Sequence, residues 1–88
     1  MSLYEEIENS FPVIEKLFSK EDLLEFKNTD KKELCLYHFG LGLWIRNNLL
    51  YPNKNNLRDL FLADCIMNED DMSAIVIQFF HQHMFNKL

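Results

Sequence analysis

The sequence predicts an all-α fold: a compact bundle of about five helices around a buried central helix at about residues 31–50. Two observations carry that prediction and a third removes its rival. Residues 39–45 are apolar without a break, and seven such residues cover the whole circumference of a helix, as in a buried one. Near the end, Met72, Ile75, Val76, Phe79, Phe80 and Met84 recur at helical spacing. Nowhere do two alternating runs flank a short turn, as a strand hairpin would. With 88 residues, residues 1–88 form a single helical domain.

The first segment opens with Glu5, Glu6 and Glu8, acids that suit a helix N-terminus. Leu3, Tyr4, Ile7, Phe11, Ile14, Leu17 and Phe18 follow at helical spacing. Pro12 breaks the pattern, because proline lacks the N–H and clashes with the preceding turn. Either the helix kinks there, or Ser10 caps a fresh helix with Pro12 in its first turn; the second arrangement is favoured. Ser19 is placed to cap a second, short helix carrying Leu23, Leu24 and Phe26. Asp30 and Glu33 have the spacing of a capping box and start the central helix.

Gly40 and Gly42 each cost a helix interior roughly 1 kcal/mol against alanine. Two residues apart, they are expected to let two neighbouring helices approach from opposite sides. Trp44, the only tryptophan, is expected to be a core anchor. The asparagine-rich stretch from Asn47 to Asn56, with Pro52, disfavours helix continuation, and Tyr51 to Asn56 form the main loop. Asn56 then caps a helix from Leu57 to about Ile66 that buries Leu57, Leu60, Phe61 and Cys65. Glu69, Asp70 and Asp71 open the last helix.

The net charge of −5 argues against general affinity for nucleic acid or an anionic membrane. It suits a protein partner with a basic surface. Cys35 and Cys65 are too few and too widely spaced for a disulfide framework, and the acidic opening is unlike a basic signal-peptide start. The expectation is a cytoplasmic protein with two reduced thiols, Cys35 being a small core residue.

The runs His38-Phe39-Gly40-Leu41-Gly42-x-Trp44-Ile45-Arg46-Asn47-Asn48 and Asp70-Asp71-Met72-Ser73-x-Ile75 together resemble a family of small uncharacterised bacterial domains. Its members carry an H-F-G-L-G-x-W-I-R-N-N motif followed by D-D-M-S. The likeness covers about residues 23–80. It implies a small, soluble, mainly helical domain with no established activity, cofactor or substrate. Members often carry a second tryptophan after the asparagines; Leu49-Leu50-Tyr51 stands there in this chain.

The candidate site is a polar cluster of His38, Arg46, Asn47, Asn48, Asp70 and Asp71, with two readings. Arg46 could grip a partner's carboxylate or phosphate bidentately. Alternatively, and favoured, Arg46 pairs with Asp70 or Asp71 while the asparagines bond loop backbone. His81 and His83 are two apart on a helix and diverge, whereas helical metal pairs sit at i and i+4. Both are therefore expected on the surface, and no metal or cofactor is assigned. No nucleophile–base pair has a diagnostic spacing, so no catalytic residue is assigned either.

These features favour a small, acidic, non-catalytic protein-interaction module, such as an immunity-like inhibitor or regulatory partner. The alternative is a nucleic-acid-associated regulator using Arg46, Asn47 and Asn48 with the stretch from Asn53 to Arg58. No apolar run reaches the length of about 20 residues that a membrane span needs. The chain is expected to be a monomer, or a homodimer through an apolar end formed by Phe80, Met84, Phe85 and Leu88.

Overall fold

Five helices run through the described residues, 2–52 and 56–87 of a computed structural model. The first, α1 (Leu3–Glu15), starts at Ser2 in a reciprocal box: Ser2 Oγ accepts from Glu5 N at 3.2 Å and Glu5 Oε1 accepts from Ser2 N at 3.3 Å. It runs unbroken through Pro12, so Ser10 caps nothing. The buried Ser10 hydroxyl instead donates to the Ile7 carbonyl. Ile7, Phe11 and Ile14 bury the same face on both sides of Pro12, and that packing outweighs one lost backbone bond.

Next comes α2 (Lys20–Asn28), capped as expected by Ser19, whose side chain accepts from Asp22 N at 3.1 Å. Phe26 is its one buried residue.

Residues 31–50 form a single winding element, α3, whose pitch changes along its length. A tight 3-10 stretch (Lys31–Tyr37) gives way to π-type (His38–Gly42), α (Leu43–Ile45) and π-type (Arg46–Leu50) turns. The joint is Tyr37, at φ −89°, ψ 0°. Asp30 precedes it but caps only with its carbonyl, which accepts from Glu33 N; its side chain makes no cap bond.

After the loop, α4 (Leu57–Ala63) begins at Asn56, which adopts the left-handed conformation (φ 63°) without a side-chain cap. Asn53, Lys54 and Asn55 lie outside the described residues. The last helix is α5 (Glu69–Lys87). Asn68 caps it, with Oδ1 accepting from Asp70 N at 2.7 Å.

The turn after α4 closes with Cys65 N donating to Leu62 O and Ile66 N to Phe61 O, both at 3.0 Å. This is a Schellman ending, whose left-handed position usually holds glycine. Cys65 occupies it at φ 64° and is exposed, not buried. Left-handed backbone costs a side-chain-bearing residue roughly 1–2 kcal/mol. Cys65→Gly is therefore expected to raise the unfolding free energy by about 1 kcal/mol, read from the urea midpoint.

The centre of the molecule is α5 rather than α3. Helices α1, α2, α3 and α4 all pack on α5. Phe26, Phe61 and Phe80 lie fully buried among Ile14, Ile45, Leu50, Leu57 and Val76. Ring contacts of Tyr4 with Phe79 and Phe11 with His83, and the Lys87–Glu15 ion pair, show that α1 and α5 run in the same direction.

Three expectations are corrected here. First, α3 is helical but not enclosed: Leu34, Leu41, Ile45 and Leu50 face the core, while Phe39 is 82% and Leu36 73% exposed. With α1 and α2 packed on α5, only α4 and α5 cover α3 extensively. Cys35 lies on its exposed side, and a Cβ on Gly40 would meet nothing within 4 Å. Second, His81 is buried, at 4% exposure. Its Nε2 donates to the Thr29 carbonyl at 2.8 Å and its ring stands edge-on to Phe26, tying α5 to the α2–α3 joint. Third, Phe80 and Met84 belong to the core, leaving Phe85 exposed at that end; Leu88 lies outside the described residues.

Candidate functional site

The polar cluster divides when folded. Arg46 leaves the α3 backbone on the core side and is only 6% exposed. Side chains on a helix point back toward its N-terminus, so the guanidinium lies over the preceding turn. There it meets Gly42, four residues earlier. A Cβ on Gly42 would sit 3.0 Å from Arg46 Nη1 and 3.6 Å from Ser73 Oγ. The bare glycine backbone is what lets the guanidinium lie flat between α3 and α5.

Three partners surround that guanidinium. Nη1 donates to Ser73 Oγ at 2.9 Å, and Nη2 donates to the His38 carbonyl at 3.4 Å. Nε stands 3.5 Å from Asp70 Oδ1. Ser73 is fully buried, and its hydroxyl donates a hydrogen bond to the Asp70 carbonyl at 3.0 Å. A planar fork with several donors suits this divided set, which a single ammonium could not satisfy. The arrangement clasps the middle of α3 to the first turn of α5. A second tie reinforces that turn: Arg58 of α4 donates to Glu69 Oε1 through Nε and Nη2, at 3.2 and 3.1 Å. The Glu69 carboxyl is held below its usual carboxylate range, first by its own backbone N–H and then by Arg58.

Of the six residues singled out from sequence, Arg46 and Asp70 meet side chain to side chain, and His38 contributes its backbone oxygen. Asn48 Nδ2 donates to the Trp44 carbonyl at 2.9 Å, so it bonds its own helix. Asn47 and Asp71 lie on the surface. Sequence reasoning missed Gly42 and Ser73 as members of the clasp. The signal was the four-residue spacing from Gly42 to Arg46, with a serine one helical turn beyond Asp70. Among the described residues, no group of three or more His, Cys, Asp and Glu is placed to hold a metal ion. Among the same residues, no helix is long and apolar enough to cross a membrane.

A family model described as "Domain of unknown function (DUF6794)" matches residues 5–84. The chain belongs to that family. Every member of the clasp lies inside the matched stretch, which runs from the first turn of α1 to the last turns of α5. No curated protein and no solved structure matches this DUF6794 domain.

The opposite face of α3 carries a different surface. Leu36, Phe39, Gly40 and Leu43 line its outer side, with Asn47 one turn further on, and all five are exposed. No acid occurs between Glu33 and Asp59. This DUF6794 domain therefore presents, on an acidic chain, an apolar ridge backed by the arginine clasp.

Proposed function

We propose that this DUF6794 domain is a non-catalytic protein-interaction module, acting in the cytoplasm as an inhibitor or regulatory partner. Its contact surface is the outer face of α3. The observation carrying this reading is the exposure of Phe39 (82%) and Leu36 (73%) on one face of a well-anchored helix. Protein-interface cores are enriched in aromatic residues and depleted of charge, and this ridge has both properties. The exposed, unpaired thiols of Cys35 and Cys65 suit a reducing compartment. No observation favours the nucleic-acid reading, because Arg46 is enclosed in the clasp and Arg58 is engaged with Glu69.

The test is affinity capture from nuclease-treated source extract, comparing the natural chain with Leu36→Ser and Phe39→Ser. Both changes lie in solvent, so the unfolding free energy should hold within the small range of ordinary surface substitutions, about ±0.5 kcal/mol. A captured protein lost with both variants supports the module. A protein retained by both, or nucleic acid in the eluate, overturns it.

A further inference from the structure

We infer that the outer face of α3 takes a second copy of this chain, packed antiparallel across a twofold axis at the Phe39–Gly40 bond. This rests on the interaction reading above and names the occupant of that same face.

The first support is the order of residues on the ridge. Counted along the chain, Leu36 and Leu43 are equally far from the bond between Phe39 and Gly40, and all four residues are exposed. Rotating a copy by half a turn sets Leu36 of one against Leu43 of the other. It also sets the Phe39 ring of each over Gly40 of its mate. A twofold interface requires such self-complementarity, each residue meeting its counterpart's partner. Here a large side chain meets a missing one.

Gly40 itself is the second support. A glycine inside a helix costs roughly 1 kcal/mol. Gly42 repays that within the fold, because Arg46 lies against it. Gly40 has no such return, since a Cβ there would meet nothing within 4 Å. Its φ is not in the left-handed region, so the backbone does not demand glycine either. A socket for an incoming ring supplies the missing reason.

Charge is the third support. Two copies, each at −5, repel unless they meet where acids are absent. The ridge comes nearest to that: residues 34–58 contain no Asp or Glu, and the acid on α3 is Glu33, one turn before Leu36. A standard interface buries about 800 Å² per partner; the ridge alone is smaller, so the expected dissociation constant is micromolar, around 10–100 μM.

Sedimentation equilibrium from about 1 μM to about 1 mM, a span bracketing that affinity, tests the inference on the natural chain, Gly40→Leu and Phe39→Ala. The natural chain should be a reversible dimer, and each variant should weaken it at least about ten-fold. Gly40→Leu discriminates best. It adds apolar surface and improves helix propensity, so unspecific stickiness would tighten association, whereas a filled socket weakens it. Amide shifts that move with concentration should fall on residues 36–47 and spare α1. A natural chain monomeric throughout, or a dimer that either variant leaves unchanged, overturns the inference. If the Leu36→Ser and Phe39→Ser capture result stands in that case, the ridge binds a different protein and only the occupant is wrong.

Discussion

Phe26→Ala should cost about 3–5 kcal/mol, the usual price of deleting a buried phenylalanine. In a domain whose total stability is about 5–15 kcal/mol, much of the fold goes with it. The ring is fully buried and faces four others: Phe18 and Phe80 at 5.4 Å, Tyr37 at 4.9 Å and His81 at 5.4 Å. Those partners belong to the end of the α1 region, to α3 and to α5, so one side chain joins three parts of the bundle. It is also the only buried residue of α2. Without it that helix keeps its Ser19 cap but loses its anchor. The melting temperature should fall by about 15 °C or more, at about 4–8 °C per kcal/mol for this size. Phe39→Ala removes the same atoms from an exposed site and should leave the dilute monomer within about 0.5 kcal/mol. Equal losses at the two positions would mean that α3 is enclosed after all.

That contrast marks what the sequence could and could not say. Helices were legible because apolar residues recur at helical spacing, and Ser19 was legible because a serine before an acidic turn has one strong use. Which side of an apolar helix stays bare was not legible. Residues 39–45 are equally apolar all round, and only the placement of α1 and α2 on α5 decides that Leu41 and Ile45 are covered while Phe39 is not. Trp44, expected to be the core anchor, packs against the core half-buried. His81 was misread for a related reason. Its acceptor is a backbone carbonyl 52 positions away, and no side-chain pattern announces a carbonyl. The Arg46–Asp70 tie was legible as an opposite-charge pair flanking the core. Its glycine was not, since room for a guanidinium leaves no mark beyond a spacing.

Arg46→Ala should destabilise the domain by about 2–4 kcal/mol, reflecting charge-assisted hydrogen bonds and lost packing. The figure stays below that for a wholly buried ion pair, because the Asp70 side chain is 60% exposed and regains water when its partner leaves. Ser73 still donates to the Asp70 carbonyl, so no buried donor is stranded. Arg46→Lys should recover only part of the loss, since one ammonium cannot span Ser73, the His38 carbonyl and Asp70 together. The decisive comparison is Gly42→Ala in both backgrounds. With Arg46 present, the new Cβ lies 3.0 Å from Nη1, and the guanidinium must shift away from its partners. With Arg46 removed, the remaining contacts at 3.6 Å are ordinary, and alanine's helix propensity should stabilise by up to about 1 kcal/mol. The sign of Gly42→Ala should therefore reverse, a coupling that urea midpoints at constant m resolve. An unchanged melting curve for Arg46→Ala would show that the clasp does not hold α3 to α5. The motif arginine would then have to be explained by a partner rather than by the fold.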